Sequence, residues 1–522
     1  MRYTIITLFC LLLCSIEGLA QKEASHWYFG PRLGLHFLQG DPQLLRNSAM
    51  TSGRGCVSIS DKVTGQLLFY GNGRTLFNRF HQPMPSSGLF ADTCGNAIIQ
   101  SVLAVPVPDE PTQYYIFSLF IVNQGRLDSA ANCESGDFID FFVQDTANYF
   151  QLRYSVIDMH LDGGRGDLMP GEVNLFLQNN LATKLTAIPH ANQKDYWLIT
   201  HGWNSQSFYV YPISETGIGL PIKQAIGSIH QWYTQGNARY SEEINGELKP
   251  SPDGTKLASA VYNLKPRPFD VFDFDAATGS ISNYQNYGNI AQQTGVTFSP
   301  DNSKLYVTSA NKVDQSNFWE IIRQYDLSLP TLEQRTASGK SIIRFNPVTN
   351  IREGRYYPVN SVFSTLHIAP NGKIYGVGNG SSDSDIGGNN DVLVISQPNR
   401  LGFECDVTMQ RLGFGLPDDR FGFRSFPNYI QSYFNHIPSR QTGECDFSGL
   451  VLYPNPAHEE VLIYSPCLVP ARVEIIDLLG RIVDQQQLYT TALNVRQLAS
   501  GMYTLRIYSE NNIVIVKRLL KM

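Results

Sequence analysis

Three stretches of the sequence share one pattern: Lys249-Pro-Ser-Pro-Asp-Gly-Thr-Lys-Leu257, Phe298-Ser-Pro-Asp-Asn-Ser-Lys-Leu-Tyr306 and Leu366-His-Ile-Ala-Pro-Asn-Gly-Lys-Ile-Tyr375. In each, a short apolar run leads into a turn built on Pro with Asp or Asn, and a second apolar run follows. Asp, Asn and Gly favour the tight turns that join antiparallel strands. The pattern therefore predicts three β-hairpins of one recurring architecture.

Looser copies of the same pattern occur at residues 59–70, 105–117 and 188–199. Aligned on their second strands, the copies are 47 residues apart from Leu67 to Tyr114 and 48 apart from Leu257 to Leu305. A four-stranded propeller blade repeats every 40–50 residues or so. The longer steps between other copies require insertions, of which residues 118–150 and 328–362 are the largest.

Three predicted strands lack a hairpin partner: the strand at residues 426–434 (FPNYIQSYF) has none after it, and the strands at residues 27–30 and 33–37 have none before them. A propeller removes its open edges by building one blade from both ends of the chain. We therefore predict an all-β protein with a seven-bladed β-propeller over residues 21–436. A six-bladed ring with flanking strands remains the alternative.

Composition agrees with a chain of strands and turns. Charged residues make up 16% and aromatic residues 12% of the 522 residues, which is fewer charges than the roughly 25% of an average soluble chain. The net charge is −6 and the pI is about 5.9. No basic excess indicates a nucleic-acid surface, so that class of partner is set aside.

The first twenty residues have the pattern of a signal peptide. Arg2 is followed by a mostly apolar run over residues 4–16, which is shorter than the roughly 20 residues that a membrane span needs. Gly18 and Ala20 are small residues suited to cleavage before Gln21. The sequence thus predicts export of a mature chain without a transmembrane segment; a short membrane anchor is the alternative.

Six cysteines remain after residue 20, and an exported chain can oxidise them. Sequence does not choose among their 15 pairings. We expect bridges between Cys94 and Cys133 and between Cys405 and Cys445, with Cys56 as a reduced, buried thiol.

The pattern changes after residues 437–449, a polar, turn-rich linker (IPSRQTGECDFSG). Alternating runs follow, with glycines at the turns between them. About 70 residues in this style predict a small Ig-like β-sandwich over residues 450–522. A separable terminal unit behind a linker suits a detachable label.

This terminal unit resembles the type A C-terminal sorting domain of the type IX secretion system of Bacteroidetes. The resemblance rests on Leu452-Tyr-Pro-Asn-Pro-Ala457, on Val473-Glu-Ile-Ile-Asp-Leu-Leu-Gly-Arg-Ile-Val483 and on Leu498-Ala-Ser-Gly-Met-Tyr-Thr-Leu-Arg506 with a basic tail. It implies type IX secretion machinery as the partner and a secreted or outer-surface location reached through the periplasm. The sorting motif it implies comprises Pro454, Asn455, Pro456, Asp477, Gly480, Gly501, Tyr503 and Lys517.

The propeller is similar, over a smaller part of its length, to an uncharacterised propeller often found ahead of such sorting domains. Residues 27–30 (WYFG) and 426–434 contribute to this resemblance. Residues 298–308 also resemble the blade hairpin of YVTN and lactonase-type propellers. Blade sterics explain such a likeness without any shared chemistry.

Motifs for catalysis are scarce in the sequence. The patterns of nucleophile elbows, zincin helices and phosphate-binding loops do not occur. His190, His201 and His367 lie in or beside hairpins, where a single histidine is usually structural. Glu242-Glu243 is expected to be a solvated pair in a loop.

Two loops carry candidate binding groups. Asp383, Asp385 and Asp391 in SSDSDIGGNND could supply oxygen ligands to Ca²⁺, although the order is not that of an EF-hand and a polar loop without a metal is favoured. No other cofactor is indicated. Arg165-Gly166-Asp167 spells an integrin-type tripeptide that chance and turn chemistry explain better.

The sequence therefore predicts a binding or interaction protein at the cell surface, with a glycan or a protein as ligand. The aromatic and acidic insertion at residues 118–150 is a candidate platform for that ligand, because binding groups favour loops on a rigid scaffold. A secreted hydrolase or lactonase acting on polysaccharide or peptide is the alternative. Acid/base residues in the central channel would favour the enzyme.

Overall fold

The computed structural model describes residues 22–30, 32–37, 40–52, 55–89, 100–123, 126–127, 149–235, 238–240, 242–312, 318–345, 351–352, 355–356, 361–380, 391–411, 425–435, 451–464, 470–487, 492–509 and 514–522. These residues form an all-β protein, as predicted. Helical structure among them is limited to α1 (Leu332–Ala337), a single turn at Leu161–Gly164 and four short 3-10 segments (Ser87–Leu89, Glu242–Ile244, Gly402–Cys405 and Gln431–Phe434).

Two three-stranded sheets come first. Their strands run antiparallel in chain order, each beside the next. The first sheet comprises β1 (His26–Phe29), β2 (Leu33–His36) and β3 (Gln43–Leu45), and the second β4 (Val57–Ser60), β5 (Leu67–Gly71) and β6 (Leu76–Asn78).

A ten-stranded sheet follows, and one long strand explains its size. The N-terminal part of β12 pairs with β10 as far as Leu181, and its C-terminal part pairs with β13 from Leu181 onward, so β12 serves two neighbouring groups of strands. The sheet comprises β7 (Val102–Val107), β8 (Glu110–Asn123), β9 (Arg126–Leu127), β10 (Tyr149–Asp158), β11 (Asp167–Leu168), β12 (Leu175–Pro189), β13 (Tyr196–Gly202), β14 (Ser205–Ser214), β15 (Gly217–Ile218) and β16 (Ile222–His230).

Three four-stranded sheets follow, each an antiparallel meander in chain order, and two small hairpins accompany them. The hairpins are β17 (Tyr233–Gln235) with β18 (Ala238–Tyr240), and β27 (Ile351–Arg352) with β28 (Arg355–Tyr356). The sheets are β19 (Leu248–Pro250), β20 (Lys256–Ser259), β21 (Arg267–Asp275) and β22 (Ser280–Ile290); β23 (Val296–Phe298), β24 (Lys304–Lys312), β25 (Phe318–Asp326) and β26 (Lys340–Phe345); and β29 (Ser361–Ile368), β30 (Ile374–Gly380), β31 (Asp391–Ile395) and β32 (Val407–Arg411).

The turn residues act as the sequence pattern predicts. One carboxylate oxygen of Asp301 accepts hydrogen bonds from the Ser299 hydroxyl at 2.6 Å and from the Ser303 backbone at 3.0 Å. Asn302 takes the left-handed conformation, with φ of 62°, that Asn tolerates better than most residues. All six predicted hairpins, the three quoted and the three looser copies, are antiparallel strand pairs.

The sheets pack side by side through their first strands. Contacts link β1 to β4, β4 to β7, β7 to β12, β12 to β19, β19 to β23 and β23 to β29. The last sheet also meets the first, because the ring of Trp27 on β1 lies 6.3 Å from His367 on β29 and 6.1 Å from Tyr375 on β30. At the rim of the same seam, Lys373 pairs with Asp41 at 2.6 Å.

The prediction that residues 426–434 form a strand is wrong. Residues 425–430 have no strand assignment, and a 3-10 turn follows at Gln431–Phe434. The side chain of Asn428 donates to the carbonyls of Val102 and Leu185, and its backbone donates to that of Cys56. These bonds go to β7 and β12 of the ten-stranded sheet and to the chain just before β4 of the second sheet, so the segment fills the space between these first strands instead of extending one sheet. We call residues 425–435 the central segment.

The cysteine predictions are tested only in part. Cys56 is a fully buried, unbridged thiol, as predicted, and burial raises its pKa. Cys405 is also buried. Cys94, Cys133 and Cys445 lie outside the described residues, so both predicted bridges stay predictions.

Seven further strands form the terminal domain, in two sheets that share one core. The core draws apolar side chains from both sheets, including Val461, Val473, Leu505 and Leu519. The three-stranded sheet has the order β33 (Val451–Tyr453), β34 (Glu460–Tyr464), β37 (Ala492–Asn494), and the four-stranded sheet the order β36 (Ile482–Gln487), β35 (Pro470–Ile476), β38 (Gly501–Ser509), β39 (Val514–Lys521).

Trp27 provides the first testable prediction, because its fully buried ring packs on Phe37 and Phe426 at 4.8 and 4.9 Å between ring centroids. Trp27→Ala would leave a cavity where the first and last sheets meet and lower the free energy of unfolding by about 3–5 kcal/mol. Denaturant unfolding of the full chain measures this. The matched control is Phe80→Ala, at a ring that is 56% exposed, and an equal effect of the two substitutions would contradict the role of Trp27.

Glu23 provides the second prediction. This carboxyl is buried at the start of the described chain, one of its oxygens has no hydrogen-bond partner, and the backbone carbonyl of Glu23 accepts from Ser60 at 2.8 Å. Burial, more than the opposing hydrogen bond and the nearby Lys62, raises the pKa of Glu23 to about 7. Between pH 4.5 and 7 the folded chain therefore holds a proton that the unfolded chain has released, and stability falls as pH rises.

Glu23→Gln removes this titration. We expect the variant to gain stability relative to the wild type between pH 4.5 and pH 8, by up to about 3 kcal/mol. Urea unfolding at a series of pH values measures the difference, with Glu215→Gln in an exposed turn as the control. Parallel stability curves for wild type and Glu23→Gln would show that the carboxyl is ionised in the folded state.

Candidate functional site

Four ionisable side chains lie close together near the central segment. The sequence did not decide whether such groups in the centre of the protein would be catalytic. They are Lys184 on β12, Glu247 just before β19, Lys249 on β19 and His367 on β29. Each is buried, with no more than 3% of its surface exposed. The first strands of neighbouring sheets thus bring acid, base and imidazole groups together.

Glu247 is the common partner in this group. Its carboxylate lies 3.0 Å from the Lys249 ammonium and 3.6 Å from Nε2 of His367, and it accepts the Val296 backbone N–H at 3.0 Å. Burial raises the pKa of Glu247, although Lys249 opposes the shift, and burial holds the pKa of His367 well below its usual range. The imidazole is therefore neutral, and the one ion pair joins Glu247 to Lys249.

Lys184 is bound to backbone. Its ammonium donates to the carbonyl oxygens of Gly246 at 2.8 Å and Ala260 at 2.5 Å, which belong to the neighbouring sheet. Burial lowers the pKa of Lys184 to about 7, against the opposing charges of Asp270 and Glu247. The side chain joins two sheets, and its donors are directed at fixed carbonyls.

The central segment covers this cluster. The ring of Phe426 lies edge-on to His367 at 5.8 Å between centroids, and Trp27 approaches the same imidazole at 6.3 Å. A buried ion pair is tolerated where close geometry and further hydrogen bonds offset the cost of desolvation. The geometry is that of a polar core between sheets, in which Glu247 pairs with Lys249 and Lys184 bonds to backbone. Nε2 of His367 has no hydrogen-bond partner among the residues that the structure describes.

A second buried network lies between the sheet that ends in β16 and the sheet of β19–β22. Glu243 accepts hydrogen bonds from Nη2 of Arg267 at 3.1 Å and from the side chain of Asn263 at 2.7 Å, so the prediction of a solvated Glu242-Glu243 pair is wrong for Glu243. His201 and His230 stack with centroids 3.9 Å apart, and burial holds both pKa values well below the usual range.

The remaining sequence candidates are mostly structural. Nδ1 of His190 accepts the backbone N–H of Asn192 at 3.0 Å inside a turn. Both carboxylate oxygens of Asp167 accept hydrogen bonds from Ser86 at 2.9 Å, so the Arg165-Gly166-Asp167 tripeptide is tied to a neighbouring segment.

The structure describes little of the proposed calcium loop. Asp383 and Asp385 lie outside the described residues, and Asp391 begins β31, where its backbone pairs with Arg411. Within the part of the chain that the structure describes, no group of three or more His, Cys, Asp or Glu side chains could hold a metal ion. The Ca²⁺ site stays a prediction.

Sequence reasoning missed Lys184, Glu247 and Lys249. The available signal was charge inside apolar strands, as in residues 181–189 (LATKLTAIP) and 247–250 (ELKP). A lysine in the middle of an inner strand is almost never buried without a partner. For Lys184, however, sequence alone does not name the partners, because they are backbone carbonyls beside another sheet.

In the terminal domain, Asn455 fastens the last strand. Its side chain donates to the carbonyl of Arg518 at 2.9 Å and accepts the N–H of Leu520 at 2.8 Å. The backbone N–H of Ala457 bonds to the carbonyl of Leu520, and that of Met522 bonds back to the carbonyl of Ala457. The Pro454-Asn455-Pro456 motif is therefore a clamp on β39.

Asp477 shapes the turn between β35 and β36. Its carboxylate accepts the N–H groups of Leu479 at 2.9 Å and Arg481 at 3.0 Å, and pairs with the Arg481 guanidinium at 2.7 Å. These bonds hold the pKa of Asp477 below its usual value. Gly480 has a φ of 79°, which favours glycine at this position.

The other motif residues lie on β38 and β39. Gly501 begins β38, and the Tyr503 hydroxyl donates to the carbonyl of Ala499 at 2.8 Å, four residues upstream. Lys517 pairs with Leu505 across the two strands. The eight motif residues thus define one turn, one clamp and the start and end of the last hairpin.

A family model described as "Secretion system C-terminal sorting domain" matches residues 451–522. A search of curated proteins returns no match to the chain. No helix among the described residues is long and apolar enough to cross a membrane.

Several solved structures are similar at low identity. PorZ, an essential bacterial surface component of the type-IX secretion system of Porphyromonas gingivalis, is 11% identical with a TM-score of 0.32, over 96% of this chain and 75% of its own. A putative 6-phosphogluconolactonase from Bacteroides uniformis is 12% identical with a TM-score of 0.36, over 75% of this chain and 96% of its own. Scores this low carry no argument about the fold or the chemistry.

The match over residues 451–522 agrees in position with the separate two-sheet core and with the clamp on β39. A domain of this kind implies handling by the type IX secretion system and delivery to the cell surface or the medium. Residues 451–522 of the chain are a secretion system C-terminal sorting domain.

Proposed function

We propose that the protein is a type IX secretion cargo whose N-terminal body binds a ligand at the cell surface. In this proposal residues 1–20 are a signal peptide, residues 21–436 the binding body, residues 437–449 a linker and residues 450–522 a type A sorting domain. The observation that carries it is the family match at residues 451–522, on a two-sheet unit with its own core.

We infer that the body is a seven-bladed propeller. Six meanders supply a first strand each, at β4, β7, β12, β19, β23 and β29, and successive first strands are in contact. The sheet of β1–β3 lies between the last meander and the first, and the central segment occupies the inner position there. A ring of seven units accounts for all of these contacts with no edge left open.

We also infer that the sorting domain has Ig-like topology. Three strands of one sheet and four of the other, in the orders β33-β34-β37 and β36-β35-β38-β39, agree with a seven-stranded Ig-like sandwich. The bond from Tyr503 to Ala499 supports the same inference, since a tyrosine near the start of the sixth strand often bonds a few residues upstream in this fold.

Binding is favoured over hydrolysis by the state of the ring centre. The acid/base groups there, Glu247, Lys249 and His367, are buried; Glu247 is paired with Lys249, and Phe426 packs against His367. A surface glycan or a protein would therefore be bound at the rim. The candidate platform at residues 118–150 begins on β8 and ends on β10, and these strands are paired out to Val122 and Tyr149.

The export proposal predicts the fate of a truncated chain. Deletion of residues 450–522 should leave the protein in the periplasm of a type IX-competent host, because the sorting domain is removed and the body remains. Cell fractionation with immunoblotting measures the distribution. A full-length chain with Leu220→Ser, at a side chain that is 90% exposed outside the sorting domain, is the control, and normal surface delivery of the truncated chain would refute the proposal.

The binding proposal predicts a stable complex without turnover. Exported full-length protein titrated calorimetrically with purified surface polysaccharide, and separately with surface proteins of the same cells, should give saturable binding to one of them. Polysaccharide or peptide should be recovered intact. Release of reducing ends or new amino termini that Glu247→Gln abolishes would show that the ring centre is a hydrolase site instead.

A further inference from the structure

Exposed apolar side chains are concentrated in the sorting domain. Of the 19 large apolar side chains that are exposed among the described residues, eight lie within residues 451–522. If these side chains were spread evenly along the chain, a segment of this length would hold fewer of them. Clustered exposed apolar groups mark contact sites. The eight are Leu478, Leu479, Ile482, Val483, Met502, Val516, Leu520 and Met522.

Strand register places most of these residues on one face. Leu505 and Ile507 point into the core, so their neighbours Thr504 and Arg506 face outward. Residues paired across the ladder share a face, and Val516 pairs with Arg506, while Leu520 pairs with Met502. Both pairs therefore lie on the outer face of the four-stranded sheet.

The hairpin between β35 and β36 extends the same face. Ile476 pairs with Thr504 on one side and with Ile482 on the other, so Ile482 belongs to the outward row. Beyond Ile476 the chain turns at Leu478 and Leu479, which are 78% and 77% exposed and project at the end of the sheet where Met502 lies. We call the outer side of this sheet, with its hairpin tip, the apolar–basic face.

Charge on this face is mostly positive. Four arginines, Arg472, Arg481, Arg506 and Arg518, accompany two acids, Glu474 and Asp477, which leaves a surplus of two positive charges. The acids are already engaged by these arginines. Glu474 contacts Arg472 at 3.6 Å and Arg506 at 3.1 Å, and Asp477 contacts Arg481 at 2.7 Å.

We propose that the apolar–basic face is the surface by which a protein receptor of the export machinery recognises this chain, and that the receptor presents an apolar centre with an acidic rim. The inference rests on the proposed function, since it names the partner surface of the sorting domain. Charge complementarity gives the sign of the charge on the partner, because an acidic rim would face the surplus arginines.

Two other occupants fit the face less well. A second copy of the chain would place arginines against arginines, which costs free energy at an interface. A lipid surface would take the apolar tip, but the centre of the face is a fixed hydrogen-bonded network in which the Tyr508 hydroxyl donates to Glu474 at 2.9 Å. A fixed pattern of polar groups suits a shaped protein surface that distinguishes this domain from others.

The experiment compares full-length variants in a type IX-competent host. Leu478→Ser/Leu479→Ser and Met502→Ser/Leu520→Ser alter the apolar part, and Arg518→Glu alters its charge. We expect the surface-to-periplasm ratio to fall at least tenfold for each, while Leu220→Ser outside the sorting domain stays at the wild-type ratio. Hydrogen exchange on β38 and β39 of the periplasmic protein should show protection like that of the wild type, because all of these side chains are exposed.

A selection for second-site suppressor mutations identifies the receptor. Selection for restored export of Arg518→Glu should return acidic-to-basic changes in one envelope protein that do not restore Leu478→Ser/Leu479→Ser. Wild-type protein binding to vesicles of phosphatidylglycerol and phosphatidylethanolamine, lost in Leu478→Ser/Leu479→Ser and without any such suppressor, would assign the face to lipid and overturn the proposal.

Normal export of the face variants would also overturn it. That result is distinguishable from failure of the proposed function, because the chain lacking residues 450–522 would still remain in the periplasm. If the truncated chain were exported as well, the sorting role itself would be wrong.

Discussion

The whole body of the protein depends on the meeting of its first and last sheets. A row of sheets that pack side by side leaves two unpaired ends, and here Trp27 joins them through contacts with His367 and Tyr375, while Lys373 reaches Asp41 at the rim. These contacts span more than three hundred residues of sequence. They form only when the chain from β1 to β30 is in place, so long-range contacts of this kind make the body slow to complete and cooperative once complete.

Closing a ring creates a space on its axis, and the composition of that space decides what the ring can do. In the proposed ring the central segment occupies it, with Asn428 bonded to backbone on β7, on β12 and just before β4, and Phe426 against Trp27 and His367. Glu247 then pairs with Lys249, and Lys184 donates to the backbone carbonyls of Gly246 and Ala260. Removing one member of such a buried set leaves the others without a partner, and this lowers the free energy of unfolding by more than the pair itself contributes. The same residues that would suggest acid/base chemistry in an open channel thus hold the sheets together in a filled one.

Turn chemistry made the hairpins predictable, because the side chains of Asp253, Asp301 and Asn371 each accept a backbone N–H within their own turn. The sorting domain was predictable for a related reason, since a short sequence motif specifies each of its clamp, its turn and its closing strand. Three features escaped prediction. The shared strand β12 depends on a register change at Leu181, the central segment takes its shape from strands of other sheets, and Glu243 is buried by Arg267 and Asn263. All three are set by partners distant in sequence, which a local pattern does not contain.

The order in which the strands are synthesised determines when the sorting domain can fold. Leu519 of β39 belongs to the core of the domain, and Asn455 and Ala457 hold that strand through four backbone groups. The two-sheet core is therefore incomplete until β39 has been made, and the outward row that includes Met502 and Leu520 does not exist before then. The body, by contrast, has all of its described strands by residue 411 and its central segment by residue 435. If the apolar–basic face is the recognition surface, a chain that lacks β39 would not present it, and recognition would be limited to chains in which the body has already been made.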